Sequence, residues 1–197
     1  MKTYIVLLRG VNVSGKNIIK MAVLKTILIE SGFKNVTTYI QSGNIILSSD
    51  LSKEAVSNKI QQLIYDHFQL QIAVFCLDLN EMETALQNNP FIENIEPNKL
   101  FFTFLNEEPA ADLLSDLEKI DFATDQFKVI DKVLYFYLPK GMANSKLNNN
   151  FFEKKLKVTA TGRNLNTIHK LIDLAKTATI NRDVCISYSK CIKLFNY

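Results

Sequence analysis

The chain has 197 residues, of which 47% are apolar, 22% charged and 10% aromatic, with a formal net charge of +3. That length suits one large domain or two small ones, and the composition excludes disordered, collagen-like and low-complexity classes. No apolar run approaches the roughly 18 residues of a membrane span, and the stretch from Met1 meets Arg9 too early for a signal peptide.

Tyr4–Leu8 is a short apolar run and predicts a strand. Arg9–Asn17 follows as a glycine-bearing loop. Met21, Leu24, Ile27 and Leu28 recur at helical spacing over Met21–Ser31, with Gly32 suited to end the helix. Val36–Gln41 and Asn44–Leu47 predict a hairpin around Ser42-Gly43. Ser52 is a suitable N-cap for a helix to Gln69, and Ile72–Leu77 predicts a fourth strand. Asp78-Leu79-Asn80-Glu81 has the form of a capping box opening a helix to Gln87.

Turn chemistry fills Asn89–Asn98, which predicts a linker. The order of elements then repeats. Leu100–Leu105 predicts a strand, Pro109 the first position of a helix to Ile120, and Phe127–Ile130 with Val133–Leu138 a hairpin. Ser145 is expected to cap a helix to Leu156, and Lys157–Ala160 to form a short strand. Leu165, Ile168, Ile172 and Ala175 give Arg163–Ala178 one apolar face. The tail 179–197 is too apolar to be free and is expected to dock as strands or a helix.

The expected fold is therefore α+β, with duplicated ferredoxin-like β-α-β-β-α-β halves, antiparallel sheets and a C-terminal helix. The expected boundaries are a first half over 1–88, a linker over 89–98, a second half over 99–161, and the C-terminal helix with its tail over 162–197. Leu100–Leu105 and Val133–Leu138 are apolar on both alternations. Their open sheet face is expected to be covered by the other half or by the terminal helix.

In this topology the loop after the first strand lies beside the turn between the second and third. That pairs Arg9–Asn17 with Gln41–Asn44, and in the second half Gly141–Lys146 with Thr161–Asn164. Five of the six glycines fall in or beside these segments. Backbone N–H groups freed by glycine, together with a guanidinium or ammonium, suit a phosphate or carboxylate.

Other chemistry is thinner. Gly10-(x4)-Gly15-Lys16-Asn17 lacks the Ser or Thr that a Walker A loop uses on magnesium. The hairpin after the first helix also breaks the parallel pattern such a domain needs. His67 and His169 are best explained as structural. Cys76, Cys185 and Cys191 show no CxxC spacing, and no metal site is expected. Free thiols without an export signal point to the cytoplasm. Residues 78–125 hold 12 acids and two lysines, leaving +13 on the rest of the chain, which suggests separate acidic and basic regions. The aromatics Phe101, Phe102, Phe104, Tyr135, Phe136 and Tyr137 fit core packing better than base stacking, because the RNP1 pattern is missing.

Leu7–Asn17, Met21 with Leu24, and Thr38-Tyr39-Ile40-Gln41-Ser42-Gly43-Asn44 resemble the bacterial domain-of-unknown-function family 1697. So do Asn89-Pro90-Phe91, Leu100 with Phe104-Leu105, Ser145-Lys146-Leu147 and Thr161–Thr167, and the resemblance extends over about residues 1–178. Ser14, Gly162 and Leu165 depart from the family's usual Gly, Thr and Trp. The resemblance implies no activity. It singles out the motif polar residues Arg9, Asn12, Lys16, Asn17, Gln41, Ser42 and Asn44, and then Ser145, Lys146, Arg163, Asn164, Asn166 and Thr167.

The functional expectation is a small phosphorylated or carboxylated ligand at these loops. Arg9 and Lys16 would hold the anion, Asn12, Gln41 and Asn44 would orient the rest, and Lys146 and Arg163 would complete the site if both loop pairs share a cleft. The alternatives are nucleic-acid binding by the basic region, and a scaffold or interaction protein without a small ligand. No general base is evident, so any reaction here would draw on electrostatic stabilisation by Arg and Lys. Nothing in the sequence assigns a cofactor or an oligomeric state.

Overall fold

Alternation along each central strand sends its side chains to two different cores. In β1 (Lys2–Leu8), Tyr4, Val6 and Leu8 pack under α1 (Met21–Glu30) and α2 (Lys53–Phe68). Ile5 and Leu7 point to the other face and enter a second core. The computed structural model describes residues 1–194, and their side chains through residue 180 apart from Asn144.

With β2 (Lys34–Tyr39), β3 (Asn44–Ser49) and β4 (Val74–Asp78), β1 forms an antiparallel sheet of order β2-β3-β1-β4. α3 (Leu79–Gln87) follows, opened by the expected capping box: Glu81 N–H donates to Asp78 Oδ1 and Asp78 N–H to Glu81 Oε2, both at 2.9 Å. The second half repeats the plan. β5 (Leu100–Leu105), β6 (Gln126–Ile130), β7 (Val133–Tyr137) and β8 (Ala160–Asn164) form an antiparallel sheet of order β6-β7-β5-β8. α4 (Ala111–Glu118) and α5 (Asn149–Leu156) cover its outer face. α6 (Leu165–Leu194) closes the described chain.

Both sheets turn their open faces inward. Ile5, Leu7 and Ile46 of the first sheet share a core with Leu100, Phe102, Phe104 and Tyr135 of the second. Ile168, Leu171, Ile172 and Ala175 of α6, with Met82 and Ala85 of α3, pack into the same core. The Tyr135 hydroxyl donates to Ala85 O at 2.8 Å, and that buried bond joins the halves. Phe102, Phe104 and Tyr135 are thus core residues, and the inward faces of the two sheets are closed to stacking.

Three expectations are corrected. α4 begins at Ala111, with Ala110 at the N-cap position, so Pro109 lies just outside it. α5 begins at Asn149 and is capped by Asn148, whose Oδ1 accepts from Phe151 N–H; Ser145 instead ends a 3-10 turn, Met142–Asn144. The last strand runs Ala160–Asn164 rather than 157–160, because residues 160–164 pair with β5 and Lys157 takes a left-handed conformation that ends α5. Gly162 had suggested a loop, yet it is a strand residue. The tail lies in α6 as far as Leu194; at its start Thr179 Oγ1 donates to Thr3 Oγ1 at 3.2 Å, while the docking expected of residues 181–197 falls outside the described side chains.

Cys76 on β4 packs against the first core, and burial pushes its thiol from 9.0 up to about 12. The folded chain therefore holds this proton to a higher pH than the unfolded chain does. Its contribution to stability is complete below pH about 9 and is lost as the pH rises towards about 12. Urea midpoints measured from pH about 8 to about 11 should fall, and Cys76→Val should make the fall shallower. An unchanged slope in the variant would remove Cys76 from the alkaline transition.

Candidate functional site

The β1–α1 loop is a small hairpin. Ser14 and Gly15 both have positive φ, +48° and +72°, and Lys16 N–H donates to Val13 O at 2.9 Å. This is the form of a type I′ turn. Asn12 N–H donates to Asn17 O at 3.2 Å, so two backbone donors of the loop are engaged inside it. The loop is therefore a projecting hairpin, unlike the inward-facing cradle of a P-loop.

The turn between β2 and β3 lies against it. Leu8 N–H donates to Gly43 O at 2.8 Å, and Asn12 Nδ2 donates to Gln41 O at 2.7 Å. Asn12 also bonds both ways with Ile19, its Oδ1 accepting from the N–H and its Nδ2 donating to the carbonyl, each at 2.9 Å. Asn17 Nδ2 ties the loop back to Gly10 O at 3.0 Å.

Arg163 enters this junction from β8. Its Nε donates to Asn44 Oδ1 at 2.5 Å, its Nη1 to Thr161 Oγ1 at 2.9 Å and Gly162 O at 2.7 Å, and its Nη2 to Leu8 O, Ser42 O and Gly43 O at 3.0, 2.9 and 3.3 Å. All six acceptors are neutral. The side chain is buried, and burial pulls its pKa down to about 10, which leaves it a cation through the physiological range. Asn44, fully buried, is fixed for this role by donating to Tyr39 O and Ser42 Oγ.

Arg9 makes a second bridge between the halves. Its Nε and Nη2 donate to the two carboxylate oxygens of Glu153 on α5 at 2.6 and 2.5 Å. Glu153 Oε1 also accepts from Ala160 N–H at 2.7 Å, which orients it. The hydrogen bond to Glu153 raises the Arg9 pKa further.

Between these bridges lies a cleft of about 640 Å³. Arg9, Lys16, Asn17, Ser42 and Arg163 line it from the expected set. Lys16 is exposed, and among the described residues it has no acidic partner. The first turn of α5, Asn148 to Asn150, also borders the cleft and brings the positive end of a helix to it.

The other expected residues lie elsewhere. Asn12 and Asn44 hold the loops, while Gln41 contributes its carbonyl. Ser145 donates to Asp125 Oδ2 at 2.6 Å and accepts from Leu147 N–H, and Lys146 is exposed away from the cleft. Asn164 caps α6 by accepting from Thr167 N–H and Oγ1, and Asn166 is exposed on the first turn. Arg9, expected to hold an anion, is already neutralised by Glu153. His67 Nδ1 lies 2.9 Å from Leu63 O near the end of α2, and His169 is exposed on α6. Sequence reasoning missed Asn149, Asn150, Glu153 and Phe101, while Thr161, Gly162 and Met142 lay inside the expected loops without being singled out. Glu153 had a signal: it stands four residues after Asn149, so both share one face of α5.

Among the described residues, no group of His, Cys, Asp and Glu could hold a metal ion, and no helix is long and apolar enough to cross a membrane.

Two ferredoxin-like halves, joined through a shared core and a buried arginine with a cationic cleft at the seam, define the class. The chain belongs to the family described as "Protein of unknown function (DUF1697)", whose model matches residues 1–135. That match includes the first set of motif residues and ends before Ser145. The chain is similar to a protein of solved structure described as the conserved bacterial protein SP0830 from Streptococcus pneumoniae. The identity is 26%, with 88% of this chain and 98% of that one covered at a TM-score of 0.66. No curated protein matches the sequence.

Proposed function

We propose that the protein binds a small anionic ligand, phosphorylated or carboxylated, in the cleft between its halves. One observation carries this reading: Arg163 is a buried cation whose six hydrogen-bond acceptors are all neutral, set beside an open cleft. Hydrogen bonds to neutral groups solvate the guanidinium without cancelling its charge. In a low-dielectric setting that charge acts on the cleft more strongly than it would in water. Lys16 and the start of α5 add to the same potential, while the single lining carboxylate, Glu153, is matched by Arg9.

Arg163 supplies field rather than contact, so Lys16 is the cation placed to touch the ligand. Thermal shift against sugar phosphates, nucleotides and dicarboxylates at low and moderate salt tests this. A ligand at a hundred times its Kd stabilises by about 2.7 kcal/mol. Lys16→Ala should weaken the best ligand about tenfold or more, the loss of one charge-assisted contact. Shifts seen only with RNA or DNA oligomers, and falling steeply with salt, would replace this reading with nucleic-acid binding. No shift with any probe would favour the scaffold.

A further inference from the structure

The cleft offers more than charge. Phe101 of β5 is half-buried there and stacks on Phe136, with ring centroids 4.8 Å apart and planes 12° from parallel. Met142, 44% exposed, lies in the same lining. These side chains form an apolar surface with a flat ring in it, which an inorganic anion or a sugar phosphate would leave unused.

Asn149 and Asn150 bring amides to the same lining. Asn149 is held in place: its Oδ1 accepts from Thr103 Oγ1 at 3.2 Å. It fits there because residue 162 has no side chain. A Cβ on Gly162 would come within 2.7 Å of Asn149 Oδ1 and 2.8 Å of Thr103 Oγ1. Among the described residues, neither Asn149 Nδ2 nor the Asn150 amide has a hydrogen-bond partner. An amide donates and accepts side by side, the pairing that the polar edge of a nucleobase presents.

A ring with a polar edge, joined to an anion, matches all three features of the lining. The volume of about 640 Å³ falls within the range of small-molecule pockets and far exceeds the needs of a bare anion. We infer that the cleft takes a nucleoside phosphate, with the base against Phe101 and Met142, its edge read by Asn149 and Asn150, and the phosphate towards Lys16. This rests on the anionic-ligand reading and names its class.

Isothermal titration of the full chain with AMP, GMP, CMP and UMP, with their nucleosides, and with ribose 5-phosphate tests it. At least one monophosphate should bind about tenfold or more tightly than ribose 5-phosphate, an advantage of roughly one or two good contacts. Asn149→Ala should erase that advantage and leave ribose 5-phosphate binding unchanged, with Asn150→Ala as a second variant should the first fold poorly. Equal binding of ribose 5-phosphate and all four monophosphates would overturn the inference and leave the anionic reading standing. A nucleoside that binds as tightly as its monophosphate would overturn the anionic reading. Failure of all four monophosphates to bind would overturn the inference outright.

Discussion

Arg163→Met should lower the stability of the protein by about 3–5 kcal/mol, the range for removing one partner from a buried polar network. For a chain of this size that corresponds to a Tm roughly 10 °C lower. Two effects compete. Removing an uncompensated buried charge ends its desolvation cost, which favours the variant. Against that, Ser42 O and Asn44 Oδ1 on the first half lose the donor that reaches them from β8, while Leu8 O keeps the Thr161 hydroxyl and Gly43 O keeps the Leu8 N–H. A methionine of similar reach offers no donor, and each unsatisfied buried acceptor costs about 1–3 kcal/mol, so the loss wins. Arg163→Lys keeps the charge but has no planar fork to span Asn44, Thr161 and four carbonyls, and it should recover less than half of the deficit. Differential scanning calorimetry of the three proteins decides. A Tm within a degree or two of wild type for Arg163→Met would show that the halves are held by their shared core alone.

Gly43→Ala should cost about 2–4 kcal/mol, from an added Cβ and an unfavourable backbone together. Gly43 has φ +74°, and a Cβ there would lie 2.5 Å from Val11 Cγ2 and 2.7 Å from Leu8 Cβ. Leu8 cannot yield, because its backbone N–H is bonded to Gly43 O and its side chain is buried in the first core. Gly15→Ala is the matched comparison: φ is +72° and nothing lies within 4 Å. It should cost only the conformational part, about 1 kcal/mol. Chemical denaturation gives both values. Equal losses would mean that the close approach of the two loops contributes nothing, and that backbone angle alone explains the glycine.

Both predictions concern the junction from which the candidate site is built. The side chains that hold the loops (Asn12, Asn44 and Arg163) are different from those the cleft presents (Lys16, Asn149 and Asn150). A motif rich in polar residues therefore mixes two duties, and the sequence alone has no means of separating them. Asn12 and Lys16 stand four residues apart in the same loop, yet Asn12 is fully engaged with Ile19 and Gln41 while Lys16 stands at the cleft.

Local chemistry carried the rest of the reading a long way. Apolar periodicity and turn residues placed β1, α1, α2, β5 and the two hairpins. Asp78 and Glu81 marked the capping box, and the repeated order of elements specified two ferredoxin-like halves. These features depend on neighbours a few residues apart, so the sequence by itself determines them. It also placed the Arg9–Asn17 loop beside the Gln41–Asn44 turn, because the order of strands in one sheet settles which loops share an edge.

What only the tertiary structure decided depends on groups far apart in the chain. Arg9 and Glu153 are 144 residues apart, and Arg163 and Asn44 are 119 apart. No periodicity links such pairs, so the neutralised Arg9 and the buried Arg163 both read as cations available to a ligand. The same holds for β8. Residues 160–164 have little strand character of their own, with a glycine at their centre, and become a strand because β5 offers a free edge to pair with. Backbone pairing at that edge outweighed local propensity, and it turned Arg163 from a loop residue into the buried link between the two halves.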